Sequence, residues 1–221
     1  MSERLIGILI DAFPKLISYG VKVTVPLTLL SFALALVVAV VVAIIQYAKI
    51  PVLSFLCRVY IWIVRGTPAL VQLFIVFYGL PSIGIVFDAF PAAVLVFGFN
   101  EGAYMAESIR AALESVPDVL MKAARVQGAS NLKAIRKVLI PIASRVAVPS
   151  LFNSLISMLK GTSLASTITI TEMFREAQMI TARVYEPLAL YTEAALIYLA
   201  FCTILTFIQK RIEIKLGEGM K

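Results

Sequence analysis

The sequence predicts an all-α membrane protein that forms one transmembrane domain over residues 1–221. Hydrophobic residues make up 61% of the chain and charged residues only 15%. A soluble domain of this length cannot bury so much apolar surface, so lipid must cover part of it. The net charge of +7 is compatible with nucleic-acid binding, but the charges fall between apolar runs and not on one amphipathic face. A membrane, and no nucleic acid, is therefore the predicted environment.

Five apolar segments are predicted to be transmembrane helices, since about 20 residues suffice to cross a bilayer. They extend from Lys22 to Lys49, from Arg65 to Pro81, from about Phe90 to Ala112, from Ile142 to about Thr167, and from about Leu188 to Ile208. Between the first two, the segment 51–65 carries Arg58 and is predicted to form an elbow at the interface. Pro141 and Pro187 stand where the fourth and fifth helices are predicted to begin, a position at which the missing N–H of proline costs least.

The N-terminal segment 1–22 is predicted to be an amphipathic lead-in that lies at the membrane interface. Its charged residues, together with Pro14 and Gly20, leave no apolar stretch of the kind found in a cleavable signal peptide. A frayed terminus is the alternative interpretation of this segment.

The distribution of basic residues predicts the orientation of the chain. Of the 20 lysines and arginines, 14 fall on the face that holds the 110–145 loop and the C-terminal tail, 5 fall opposite, and Lys160 lies inside a span. The positive-inside rule makes the basic face cytoplasmic and leaves the N-terminus outside. The loop 115–141 is then cytoplasmic, and the loop 169–186 is external. An apolar stripe in the external loop predicts a helix there, formed by Met173, Phe174, Ala177 and Ile180.

A basic island, Lys122–Pro141, separates the third and fourth spans. Two alanines, Ala123 and Ala124, favour a helix, and Gly128 permits a sharp turn at its end. The pair Ser130-Asn131 can cap a second short helix, which is predicted over residues 132–138. Two short helices at a sharp angle form a knob that fits a groove on another protein. On physical grounds alone, an ordinary polar connector is the alternative.

Four motifs in chain order resemble the polar amino-acid permease family of bacterial ATP-binding-cassette importers. The island, with Ala123-Ala124, Gly128 and Leu139-Ile-Pro141, resembles the signature cytoplasmic loop of these permeases. The other motifs are Arg65-Gly-Thr-Pro68 with Gln72-Leu-Phe74 and Tyr78-Gly-Leu-Pro81, then Asn100 with Ala103-Tyr104 and Glu107, then Lys160-Gly-Thr-Ser-Leu164. Lys122 stands where the family has a glutamate, so a salt bridge from that glutamate to the ATPase has no counterpart here. The external segment 162–183 resembles the cystine branch of the family.

The resemblance implies a type I importer permease fold in a bacterial inner membrane. It implies that the island is the coupling loop, which docks into an ATP-binding-cassette ATPase subunit. The docking residues are then Lys122, Ala123, Ala124, Gly128, Ala129, Leu132, Ile135 and Pro141. Further implied partners are a second permease chain, forming a homodimer, an external solute-binding protein and an amino-acid substrate.

No cofactor is expected in this chain, because ATP and Mg would bind the partner ATPase. The sequence lacks Gly-x-x-x-x-Gly-Lys-Ser/Thr, and in the segment 160–163 the lysine precedes the glycine. The chain itself is therefore not expected to be an enzyme.

Ionisable residues inside the predicted spans indicate where a solute path would lie. A bare charge in hydrocarbon costs about 2.5–3.5 kcal/mol on insertion scales, so these residues should face a cavity or a partner. A zwitterionic amino acid needs groups of both signs to replace its water. The predicted path residues are Asn100, Glu101, Tyr104, Lys160, Thr162 and Ser163. A structural alternative pairs Lys160 with a glutamate, and a local i,i+3 pair is favoured for Glu107 and Arg110.

Two other classes of protein explain part of the sequence. An ion-coupled carrier or channel would also contain intramembrane charges, and it would move solute without ATP. A membrane enzyme would need convergent nucleophiles or metal ligands, whereas the chain has no histidine and its two cysteines, Cys57 and Cys202, are far apart.

Overall fold

A computed structural model describes residues 2–218, which are almost entirely helical. The α-helices in this part of the chain are α1 (Ser2–Tyr19), α2 (Val25–Tyr47), α3 (Pro51–Arg65), α4 (Ala69–Phe74), α5 (Ala89–Glu114), α6 (Asp118–Val126), α7 (Asn131–Ala134), α8 (Ile140–Gly161), α9 (Met173–Val184) and α10 (Pro187–Glu218). Between them lie the π-helical segments Gly20–Thr24, Ile75–Gly79 and Ile135–Leu139, and the 3-10 segments Leu80–Ile83 and Thr162–Ile168.

The N-terminal lead-in is continuous with the first predicted span. A single helix of 45 residues runs from Glu3 to Tyr47. It passes through Pro14 without a break and widens into the π-helical segment at Gly20. A β-carbon at Gly20 would lie 2.8 Å from the ring of Phe201, so this glycine lets α10 approach closely. The frayed-terminus interpretation is wrong for the described part of α1, whose buried side chains pack on α9 and α10.

The predicted elbow is a sharp bend in the structure. Helix α3 meets the segment Ala69–Ile83 at 100°, and only the two together are long enough to cross a membrane. The position of Thr67, just before Pro68 and α4, suggests a helix cap, but its side chain does not cap α4. Its hydroxyl donates instead to the Ile63 carbonyl at 2.9 Å, and it accepts a hydrogen bond from the Gln72 amide at 2.8 Å. The threonine therefore holds the bend from the α3 side.

Helix α5 is the central helix of the domain. Its buried residues contact α2, α3, α4 and α8 in two hydrophobic clusters. Its 26 residues span about 39 Å, which is enough to cross a bilayer. Within residues 2–218, three helices are both long and apolar enough to cross alone, namely Glu3–Tyr47, Asn131–Ile168 and Pro187–Gly217, and α5 is not among them. Asn100 and Glu101 are half-buried on α5, where contacts with neighbouring helices lower the cost of polar groups.

The small-residue motif Gly98-x-x-x-Gly102 of α5 makes its contact within one chain. A β-carbon at Gly98 would lie 2.6 Å from Cδ2 of Leu34, and one at Gly102 would lie 3.0 Å from Cγ1 of Val38. Both neighbours belong to α2. The two glycines therefore permit the close α2–α5 packing that membrane helices achieve with small residues.

Replacing Gly98 with alanine is expected to destabilise the protein by about 1–3 kcal/mol, since overpacking forces α2 and α5 apart. The loss is read as a lower thermal unfolding midpoint of the purified chain. Gly7→Ala is the matched control, because no atom lies within 4 Å of a β-carbon at this helical position. Alanine there should be neutral or stabilising. Equal midpoints for the two variants would contradict the packing role of Gly98.

The start of the fourth span differs from the prediction. Helix α7 does not end before Pro141 but continues through the π-helical segment Ile135–Leu139 into α8, so that Asn131–Ile168 is one helix of 38 residues. In the π-helical segment the Ile140 N–H donates to the Ile135 carbonyl. This wider turn accommodates a proline inside a continuous helix, because the local bonding no longer depends on the proline N–H. Pro187, in contrast, is the first residue of α10, as predicted.

A buried glutamate at the start of α9 joins the loop 169–186 to the rest of the domain. Glu172 is fully buried, and its carboxylate accepts hydrogen bonds from the Phe174 and Arg175 N–H groups at 2.8 and 2.7 Å. It also accepts a bond from the Tyr198 hydroxyl of α10 at 2.9 Å. Burial raises the pKa of this carboxyl, and the three hydrogen bonds oppose that shift. The helix predicted for the loop 169–186 is confirmed as α9, but this capping residue was not predicted.

Replacing Glu172 with alanine is expected to cost roughly 2–3 kcal/mol, since α9 loses its cap and the Tyr198 hydroxyl loses its acceptor. The thermal unfolding midpoint should then fall by roughly 5–10 °C. Glu176→Ala, one turn further along α9, is the control and should change the midpoint little. A midpoint unaffected by the Glu172 change would show that the cap contributes nothing.

Candidate functional site

The basic island folds into the predicted knob. Helix α6 ends at Val126, and Gly128 adopts a left-handed φ of 81° that reverses the chain. The Ala129 N–H then donates to the Ala124 carbonyl at 3.0 Å. The Ser130 hydroxyl accepts from the Lys133 N–H at 3.3 Å, which caps α7 as predicted. The sequence signals for this turn and this cap are therefore confirmed.

The knob is buried at its base and exposed at its tip. Val116 and Leu139 pack with Ala112 and Ala143 between the ends of α5 and α8. At the tip, Val126 is 89% exposed and Leu132 is 66% exposed. Of the predicted docking residues, Lys122, Ala123, Gly128, Leu132 and Ile135 are exposed, whereas Ala124, Ala129 and Pro141 are half-buried.

The exposed tip also includes residues that the motif did not indicate. Val119 and Val126 lie on α6 with large exposed fractions, and the apolar surface that they form with Leu132 has no packing partner in the described chain. In the sequence, each of these residues is an apolar residue among charged ones. Exposed apolar residues are common, so this pattern alone does not indicate a docking site.

The predicted path residues fall into two separate groups. Lys160 and Ser163, at the end of α8, line a cavity of about 520 Å³ between α8, α9 and α10. Phe174, Tyr191 and Tyr198 contribute its aromatic wall. Thr162 lies beside them but is fully buried, and its hydroxyl donates to the Leu159 carbonyl at 2.7 Å. In this conformation Thr162 supports the packing and does not face the cavity.

Lys160 is the charged group of this cavity. Among residues 3–217, no carboxylate oxygen lies within 4.0 Å of its ammonium nitrogen, so the structural pairing with a glutamate does not form in this part of the chain. An exposed ammonium beside aromatic rings and hydroxyls suits the carboxylate of a small zwitterion.

The second group lies on α5 and makes different contacts. The Asn100 amide donates to the Gln72 side chain at 3.0 Å, and the Gln72 amide donates to the Val64 carbonyl at 2.8 Å. Asn100 thus ties the central helix to the bend between α3 and α4. Glu101 is half-buried and faces Ser154 of α8. The cavity at Lys160 contains neither residue.

Ionic contacts continue along α5 toward its C-terminal end. Tyr104 is covered by the Arg65 guanidinium, whose carbon lies 5.0 Å from the ring centre. Arg65 also approaches Glu107 at 4.0 Å. The local pair expected for Glu107 and Arg110 is confirmed at 3.1 Å, and Arg110 pairs in addition with Glu114 at 2.8 Å. These contacts link the α3–α4 bend to the helix that leads into the knob.

Comparison with solved structures defines the class of this fold. A crystal structure described as an amino acid ABC transporter with histidines matches it with a TM-score of 0.81 and 28% sequence identity, over 97% of this chain and 96% of that chain. The fold is that of a type I ABC importer permease. The chain is accordingly a transport component and not an enzyme, since ATP hydrolysis in such systems resides on a separate subunit.

Residues 35–217 match the family model described as binding-protein-dependent transport system inner membrane component, and the chain belongs to that family. It is 42% identical to the L-cystine transport system permease protein TcyB of Bacillus subtilis (strain 168), over 94% of this chain and 89% of that protein. It is 39% identical to the probable amino-acid ABC transporter permease protein PatM of Vibrio harveyi, over 96% of each. The resemblance found in the sequence motifs is thereby confirmed.

Proposed function

We propose that this chain is the permease subunit of an ATP-driven importer of polar amino acids, with cystine as the first substrate to test. The observation that carries the proposal is the match over nearly the whole chain to amino-acid permeases, one of them a cystine permease. The cavity at Lys160 supports it, since it combines a cation with aromatic and hydroxyl groups that suit an amino acid.

The proposed topology has five spans, with the N-terminus outside and the C-terminus in the cytoplasm of a bacterial cell. The basic face of the sequence supports this orientation. Helix α5 is the third span, and the bent pair of α3 and the segment Ala69–Ile83 is the second. The five spans enclose too little volume for a complete path, so two permease chains assemble, as a homodimer in the simplest case.

The proposed coupling site is the knob formed by α6, Gly128 and α7. Its exposed apolar tip fits a groove on an ATPase subunit, which binds ATP and Mg. The knob is mechanically joined to the cavity, because the continuous helix Asn131–Ile168 begins at the knob and carries Lys160 near its other end. Movement of the knob when two ATPases close would therefore displace one wall of the cavity.

Transport then follows from alternating access. An external binding protein and ATP each bind one conformation of the assembly more tightly, and this difference in affinity shifts the population between them. In the proposed path, Lys160 and Ser163 contact the solute directly. Asn100, Glu101 and Tyr104 line or position the cytoplasmic part of the path, and Thr162 holds the end of α8.

Reconstituted vesicles test this function. The chain is purified with its ATPase and binding protein, and uptake of labelled cystine is compared with uptake of other amino acids, with and without ATP. We expect uptake only when ATP and the binding protein are present, and no ATP hydrolysis by the chain alone. Uptake driven by an ion gradient without ATP would instead support an ion-coupled carrier. Uptake of other polar amino acids but not cystine would reject only the proposed substrate.

A further inference from the structure

A groove with an unusual charge pattern lies between the end of α2, helix α3 and the C-terminal part of α5. Its volume is about 690 Å³, and it lies apart from both the knob tip and the cavity at Lys160. Its charged lining consists of Lys49, Arg58, Arg110, Glu107 and Glu114, which together carry one net positive charge. In the proposed topology the groove opens at the cytoplasmic surface of the membrane.

The two carboxylates of the groove are paired with two arginines. Arg110 contacts Glu107 at 3.1 Å and Glu114 at 2.8 Å, and Arg65 approaches Glu107 at 4.0 Å. Lys49 and Arg58 are both exposed, and within residues 3–217 neither has a carboxylate oxygen within 4.0 Å. The groove therefore presents two cations without an acidic partner in this part of the chain. They lie beside an ion-pair cluster in which each carboxylate contacts an arginine.

The end of helix α2 places Lys49 at the edge of the groove. Its left-handed φ of 52° belongs to the turn that ends the helix, in which the Lys49 N–H donates to the Gln46 carbonyl at 3.1 Å and the Ile50 N–H donates to the Ile45 carbonyl at 3.5 Å. Lys49 and Arg58 both line the groove. A fitting ligand therefore supplies negative charge to these two cations.

The surface beside the groove is apolar. Helix α3 exposes Val52, Phe55 and Trp62, with exposed fractions of 71%, 58% and 75%. Because of the 100° bend, α3 and the following segment cannot both lie along the membrane normal. In the proposed second span, α3 forms the part nearer the membrane surface. An interfacial helix with apolar side chains outward and cations at its edge suits the boundary between acyl chains and headgroups.

We propose that this groove binds an anionic phospholipid of the phosphatidylglycerol type. Lys49 and Arg58 contact the phosphate, and the acyl chains lie along the apolar face of α3. The combination of unpaired cations and an adjacent apolar face distinguishes this ligand from a soluble anion, which needs no apolar face.

Trp62 makes the site directly measurable, because it lines the groove and is the one tryptophan of the sequence. Its fluorescence is recorded in vesicles of phosphatidylcholine that contain brominated phosphatidylglycerol or, in parallel, brominated phosphatidylcholine. We expect the brominated anionic lipid to quench Trp62 at several-fold lower mole fraction. Lys49→Gln and Arg58→Gln should each lower this preference about fivefold, as expected for one cation near a lipid surface. Lys215→Gln, a cation of the C-terminal helix outside the groove, is the control and should leave the preference unchanged.

Three outcomes would overturn the proposal. Equal quenching by the two lipids would show that the groove does not select a headgroup, and an equal loss in Lys215→Gln would show only general surface attraction. Competition by excess inorganic phosphate in the vesicle experiment would assign the groove to a soluble anion. Protection of Trp62 from both lipids in the complex with the ATPase would assign it to a protein contact.

Discussion

Replacing Gly128 with valine is expected to reduce ATP-driven uptake at least tenfold while leaving the chain folded in the membrane. Gly128 has a φ of 81°, a region that costs a β-branched residue roughly 1–2 kcal/mol or more. No neighbouring atom lies within 4 Å of a β-carbon there, so the change acts on the backbone turn and not on packing. The turn sets the angle between α6 and α7, and with it the shape offered to the ATPase. Uptake and ATP hydrolysis of the reconstituted complex measure the effect.

Gly84→Val provides a matched control for backbone strain. Gly84 has a φ of 84° and equally open surroundings, but it follows the 3-10 segment at the opposite end of the domain in the proposed topology. The two variants should lose similar stability, and only Gly128→Val should lose coupling. If both variants transport equally well, or fail equally, the knob has no special part in coupling.

Replacing Lys160 with methionine is expected to lower amino-acid uptake at least tenfold without affecting assembly with the ATPase. Methionine retains the length of the side chain but removes the ammonium group from the cavity at the end of α8. A substrate carboxylate entering this cavity would then lose its charge-assisted hydrogen bond and remain poorly solvated. Uptake by reconstituted vesicles and co-purification of the ATPase measure the two parts of this prediction.

Lys22→Met is the matched control, since Lys22 is an exposed lysine in the helical N-terminal region, away from the cavity. It should transport normally. Basal ATP hydrolysis should persist in Lys160→Met, which separates a defect of the path from a defect of coupling. Normal uptake by Lys160→Met would remove Lys160 from the substrate path.

Features encoded by neighbouring residues could be predicted from the sequence. The turn at Gly128 and the cap at Ser130 depend on residues within a few positions, and both form as expected. The pair of Glu107 and Arg110 is likewise local. The helix start at Pro141 was predicted wrongly, because the same proline signal is compatible with a π-helical segment that extends the helix toward its N-terminus.

Contacts between distant segments could not be predicted from a single sequence. Asn100 and Gln72 are 28 residues apart, and their hydrogen bond depends on the bend between α3 and α4. Glu172 appeared to be one charge of an external loop, whereas its burial depends on α10 supplying Tyr198. The candidate path divides for a related reason: Lys160 and Ser163 line a cavity between α8, α9 and α10, whereas Asn100 and Glu101 lie on α5, and how these helices pack depends on contacts between distant segments.

The polar centre of α5 has a consequence for biogenesis. A nascent helix leaves the translocon for lipid on its own only if it is sufficiently apolar, and an ionisable residue near its middle opposes that step. Helix α5 carries Glu101 there and depends on the small-residue contact with α2 for its surroundings. It should therefore enter the bilayer together with α2 as a preassembled helix pair. Weakening that contact should leave the newly synthesised chain exposed to quality-control proteases.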